Sequence, residues 1–170
     1  MAAVPADFRT IDTATTVTRA QLAALIGLRL QPVLSKSTEH VNAVATDVRG
    51  HWAEPWILPV TQSGVMDVYP NHTFQPGNTV RRTDLARVVS QLLTLIASEK
   101  QIDLAKWKAA RPAFPDLPVT NVYYASAALA VSAGAMTQLD GNRFGPTTPT
   151  TGAAAVAAMT RLQQIAGAQR

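Results

Sequence analysis

Residues 64–86 read GVMDVYPNHTFQPGNTVRRTDLA, and residues 134–156 read GAMTQLDGNRFGPTTPTTGAAAV. Gly64 aligns with Gly134, Met66 with Met136, Phe74 with Phe144 and Pro76 with Pro146, without a gap. A third, shorter copy lies near the start, where Val17-Thr18-Arg19-Ala20-Gln21-Leu22-Ala23 overlays Val80-Arg81-Arg82-Thr83-Asp84-Leu85-Ala86. Self-similarity of this kind marks stacked units that bury their apolar faces against one another. The chain therefore divides into the C-terminal half of a first repeat (1–34), a second repeat (35–100) and a third (101–170), together forming one module.

Each full repeat has the same plan. A short apolar segment led by aromatics comes first, from His51 to Val60 and from Val122 to Val131, and a glycine ends it, the usual C-terminal signal of a helix. A loop of about 15 residues rich in Pro, Asn, Asp and Gly follows. A longer amphipathic helix closes the unit, with Leu85, Val88, Val89, Leu92 and Ile96 at helical spacing in the second repeat, and Ala155, Met159, Leu162, Ile165 and Ala166 in the third. Leu22, Leu25 and Ile26 mark the same stripe in the first. Thr18-x-x-Gln21 is a capping-box pattern, Asp84 falls in the first turn of the second long helix, and Thr150 or Thr151 opens the third. A short linker helix is expected at about 103–111, ended by Pro112 and Pro115. Pro59, inside the first helix of repeat 2, predicts a bend there. The fold class is all-α, a helical bundle with long loops between the two helices of each repeat.

Composition limits the function classes. Of the 170 residues, 15% are charged and none is Cys, which excludes a disulfide framework, thiolate metal sites and thiol catalysis. No apolar run is long enough for a membrane span. The net charge of +4 is a mild bias that permits an anionic partner without requiring nucleic acid. The basic residues gather in a tight group, Arg81, Arg82 and Arg87, and in a looser one, Lys100, Lys106, Lys108 and Arg111. MAAVPADF at the start has neither the basic nor the apolar region of a signal peptide, so the chain reads as intracellular or as a piece of a longer exported protein. His40, His51 and His72 lack metal-ligand spacing, Asp67 with Asn71 is a poor calcium set, and no GxSxG, Walker or Rossmann pattern occurs. The expectation is a non-enzymatic module with no metal and no cofactor.

Several segments together resemble the S-layer homology family. They are Asp47-x-x-x-His51-Trp52-Ala53, Ile57, Gly64-Val65, Tyr69-Pro70-Asn71, Thr73-Phe74-x-Pro76 and Val80-x-Arg82-x-Asp84-x-Ala86. Repeat 1 contributes Val17-Thr18-Arg19-Ala20-Gln21; repeat 3 contributes Phe114-Pro115-Asp116, Gly134, Asp140-Gly141-x-x-Phe144 and Pro146. The resemblance implies a pseudo-threefold, helix-rich spindle with grooves between neighbouring repeats. It implies non-covalent anchoring of exported proteins at the cell envelope, through secondary cell-wall polymers, often pyruvylated, or peptidoglycan-associated glycans. It also implies that the helix-start arginine, here Arg19 and Arg82, meets the acidic sugar.

The physical chemistry of a helix start favours these arginines independently of the resemblance. Unpaired N–H groups and the helix dipole attract a carboxylate to a helix start, and a guanidinium adds a fixed fork of donors. Asp84, beside Arg82 in the same motif, is a further candidate glycan contact. Trp52 is a candidate stacking platform for a sugar ring, with core packing as the plain alternative. Gly64, Val65 and Met66 are candidates because the family's groove is lined by the backbone after this glycine. Gly152 stands where Arg19 and Arg82 stand, so the third position is expected to be structural. An assembly module that kept the scaffold without glycan binding is the rival reading. A shortened first repeat, stabilised by upstream residues, is a further one.

Overall fold

The computed structural model describes residues 4–38 and 40–167. Among these the chain is all-α, as the spacing predicts: five longer helices are joined by short helices and loops, with isolated bridges and no sheet. The elements are α1 (Ala6–Arg9), a 3-10 turn (Ile11–Thr13), α2 (Arg19–Arg29), α3 (Gln31–Ser35) and α4 (Glu54–Gln62). Then come α5 (Arg82–Lys100), α6 (Ala105–Ala109), α7 (Tyr124–Ser132), a second 3-10 turn (Asp140–Asn142) and α8 (Gly152–Gly167). No helix among the described residues is long and apolar enough to cross a membrane.

The expected stripes form the core. Leu22, Ile26, Leu85, Leu92, Leu93, Ile96, Met159 and Leu162 are buried, and α2 packs on α4 and α8 while α5 packs on α7 and α8. Small side chains permit close approach: a Cβ on Gly27 would meet Trp56 Cδ1 at 2.5 Å. Pro59 lies within α4, yet one helix runs from Glu54 to Gln62, with Pro59 on its exposed side.

The helix ends repeat with the sequence. After α4, Val65 and Met66 donate their N–H groups to Val60 O (3.1 and 3.2 Å); after α7, Ala135 and Met136 donate to Ala130 O (3.0 and 3.1 Å). Gly64 and Gly134 make both turns possible, with φ of 75° and 76°. Thr18 and Gln21 form the expected capping box at α2.

A ring of backbone hydrogen bonds joins the three long-helix starts. Val17 N–H donates to Thr150 O (3.0 Å), Thr150 N–H to Val80 O (2.8 Å), and Val80 N–H to Val17 O (2.8 Å). All three residues are buried. They are equivalent in the repeat alignment, so the ring gives the pseudo-threefold arrangement its centre. Each N–H and each C=O is used once, which satisfies six buried polar groups without a sheet.

Candidate functional site

At each corner of this ring, a long helix begins against the loop of another segment. Arg19 N–H donates to Asn78 O (2.8 Å), Arg82 N–H to Thr148 O (2.9 Å), and Gly152 N–H to Ala14 O (2.8 Å). The side chains at these three equivalent positions differ.

Arg19 reaches from α2 into the loop of repeat 2. Its Nε donates to Phe74 O (2.8 Å) and its Nη2 to Asp67 O (2.6 Å), while the guanidinium lies over the rings of Phe74 (4.4 Å) and Tyr69 (4.9 Å). Arg82 repeats this geometry one unit later. Its Nε donates to Phe144 O (2.6 Å) and its Nη2 to Thr137 O (2.6 Å), and it lies over the Phe144 ring at 5.1 Å. Burial pulls both guanidiniums below their usual pKa. Tyr69 and the carboxylates of Asp84, Asp67 and Asp47 oppose that shift at Arg19, and Asp116 opposes it at Arg82.

Each loop is held from its other side by an aspartate. Asp47 accepts from Phe74 N–H (2.7 Å) and Gln75 N–H (2.8 Å), and Asp116 accepts from Phe144 N–H and Gly145 N–H (both 2.8 Å). Burial pushes these carboxyls up. The amide hydrogen bonds, aided by Arg19 at Asp47 and by Arg143 at Asp116, outweigh it and hold both below the ordinary carboxylate range. Phe74 and Phe144, fully buried, anchor the loops between aspartate and arginine.

Contrary to the expectation from the sequence, the helix starts do not offer free amides to an anion. The N–H groups at the start of α2 are occupied: Arg19 N–H by Asn78 O, Ala20 N–H by Pro76 O (3.0 Å) and Gln21 N–H by Thr18 Oγ1 (3.2 Å). At α5 the Arg82 N–H is likewise taken by Thr148 O. Neighbouring loops cover the positions where an anion would meet these amides.

The proposed residues separate into different places. Arg19, Val65, Met66 and Asp84 line one groove of about 120 Å³ between repeats 1 and 2. Arg82 does not line it; only 5% exposed, it is turned into the repeat 2–3 contact. Asp84 accepts from Arg81 N–H (2.8 Å) and so also caps α5. Gly64 borders a neighbouring hollow with Met66 and the 41–44 segment. Trp52 is half-buried in an aromatic cluster, its ring centroid 5.6 Å from Phe8 and 6.1 Å from Trp56, away from the groove.

Three groove residues were not singled out as ligand contacts by sequence reasoning. Tyr69 and Asp67 lie in the loop, and Arg87 lies on α5. Arg87 Nη2 pairs with Asp67 Oδ2 at 2.6 Å, with both side chains more than half exposed. The signal for Arg87 was its place in the tight basic cluster, one turn after Arg82. In the sequence Asp67 suggests only a poor calcium ligand.

Gly152 has a packing explanation. A Cβ there would collide with the backbone carbonyl of Ile11, and Ala14 Cβ would lie 3.2 Å away. The third corner holds the first 3-10 turn against α8 where the other corners hold an arginine.

With this geometry in place, the comparisons with known proteins fall on the same segments. Residues 46–86 match the family model described as "S-layer homology domain". This span runs from Thr46, within repeat 2, to the first turn of α5. The chain is also 29% identical over 84 residues to "Cell surface glycoprotein 1" of Acetivibrio thermocellus. That alignment covers 45% of this chain and 4% of the relative, so the chain spans a small fraction of that protein's length. The S-layer homology match contains Asp47, Asp67, Phe74 and Arg82; the Asp67 and Phe74 carbonyls tie repeat 2 to repeat 1 through Arg19, and Arg82 ties it to repeat 3. Arg19, which completes the groove, lies outside the match.

Proposed function

We propose that this chain is a non-catalytic module that helps to anchor a larger protein at the cell surface, where it holds an acidic cell-wall glycan in the groove between repeats 1 and 2. The observation that carries the reading is the convergence of Arg19, Arg87 and Tyr69 on that groove, next to the backbone of Val65 and Met66. The S-layer homology match over 46–86 and the likeness to a cell surface glycoprotein support the setting.

The groove contains two arginines and two aspartates. An exposed ion pair such as Arg87–Asp67 contributes only about 0–1 kcal/mol, so a sugar carboxylate can replace Asp67 as the partner of Arg87. Tyr69, 37% exposed, offers a ring face for the apolar side of a sugar. Arg19 has a smaller part to offer, because two of its nitrogens already hold loop carbonyls.

The test is sedimentation with purified cell walls, native or stripped of acidic polymer. Retention on native walls that falls with salt and disappears on stripped walls is the expected result. Equal retention on both would rule out acidic glycan. Asp67→Asn, which releases Arg87, should strengthen retention; a weaker interaction would contradict the assigned role of the pair.

A second reading, a protein-assembly module, draws on Val119, Val122 and Tyr123, which are 61%, 83% and 48% exposed within one short stretch. It predicts self-association in sedimentation velocity that is lost in Val122→Asp.

A further inference from the structure

A second and larger hollow, about 470 Å³, lies away from the groove, between α5, α6 and α7. Its lining includes Trp107 and Lys108 from α6, Arg111 just beyond it, Tyr124 and Ser126 from α7, and Ser90 from α5. No carboxylate lines it. Neither Lys108 nor Arg111 belongs to an ion pair among the described residues. These two cations come from the looser basic cluster of the sequence, which the anchoring reading leaves unused.

The wall is built rather than incidental. The Tyr124 hydroxyl donates to Pro112 O (2.9 Å), tying the segment after α6 to α7, and Phe114 packs its ring against Tyr124 at 5.8 Å. Pro112, next to Arg111 and held through its carbonyl, therefore also helps to set the position of Arg111. Ala125, Ala128 and Leu129 add an apolar surface on α7. A hollow of a few hundred Å³ with apolar walls and a few convergent polar groups has the character of a small-molecule site.

We propose that this hollow binds a carboxylate carried on a ring. Lys108 and Arg111 supply the countercharge, and a guanidinium matches a carboxylate through paired N–H donors. Trp107 and the α7 surface suit the flat apolar face of the ring, and the Ser90 and Ser126 hydroxyls suit its polar edge. Such a group has two sources, an acidic sugar unit and a free aromatic acid. The proposal does not depend on the wall-anchoring groove, which shares no residue with this hollow.

The experiment is an NMR titration of the whole chain with glucuronate and with benzoate, using glucose and benzyl alcohol as neutral counterparts. Saturable shifts in the 107–111 and 124–129 amides are expected with at least one acid and not with its neutral counterpart. Arg111→Ala should weaken that binding about tenfold, and Arg111→Lys should recover part of it. A response to glucuronate identifies the sugar source, and one to benzoate the free acid. No saturable shift with either acid would overturn the proposal, as would equal shifts with the neutral compounds or unchanged binding in a folded Arg111→Ala. Arg87→Ala, in the other groove, should leave the titration unchanged.

Discussion

The starts of α5 and α8 occupy equivalent corners of one ring, yet they are held in opposite ways. At α5, Arg82 extends a buried guanidinium to two carbonyls of the next loop. At α8, Gly152 withdraws its side chain altogether, so that the Ile11 backbone can sit on the helix. The backbone bond is common to both: Arg82 N–H to Thr148 O, and Gly152 N–H to Ala14 O. The comparison teaches that an arginine missing from a repeated motif need not be a decayed binding residue. The space it would fill can belong to another part of the chain.

Exchanging side chains between the corners separates the two arrangements. Gly152→Arg should have the largest effect, destabilising by about 4 kcal/mol or more and displacing the 4–14 segment, because the collision is with backbone rather than a movable side chain. Chemical denaturation would measure this, and a wild-type midpoint would contradict the packing account. Arg82→Ala should follow at about 3 kcal/mol, since it leaves the Phe144 and Thr137 carbonyls without their charged donor. Arg19→Ala should cost less, about 1–2 kcal/mol, because its loop is partly open to water.

The ring also offers a gain. Thr150 stands where the other repeats place Val17 and Val80, and its buried Oγ1 has no hydrogen-bond partner among the described residues. Thr150→Val should raise stability by about 1 kcal/mol, read as a higher melting temperature.

The aspartates predict how pH acts on the loops. Asp47 and Asp116 have folded pKa values below the unfolded 3.8. Their contribution is therefore fully present above that value and is lost as pH falls through the folded values. Melting temperature should drop below about pH 4, and the drop should shrink in the Asp47→Asn, Asp116→Asn double variant.

Much of the fold was legible because its signals are local. The Thr18–Gln21 capping box, the Gly64 and Gly134 helix ends, the stripes of α5 and α8 and the proline stop after α6 each depend on a few neighbouring residues. The candidate site was legible only in part. Val65, Met66, Asp84 and Arg19 meet in the groove, but Trp52 does not, and Arg82 serves the next interface. Spacing along one repeat does not reveal which neighbour's loop will cover a helix start. The ring of Val17, Val80 and Thr150 joins three segments far apart in sequence, so no single segment carries its signature. Gly152 appeared as a loss because its reason, the Ile11 carbonyl, lies outside its own repeat.

Arg19 and Arg82, alike in motif, each tie two repeats together, but Arg19 alone of the two also borders the candidate groove. The most direct measurement is cell-wall retention of Arg19→Ala and Arg82→Ala, each at a temperature where circular dichroism shows it folded. The account predicts that Arg82→Ala is the less stable protein yet sediments with walls as the wild type does, whereas Arg19→Ala stays folded and sediments more weakly. Equal loss in both, or full retention by Arg19→Ala, would contradict it.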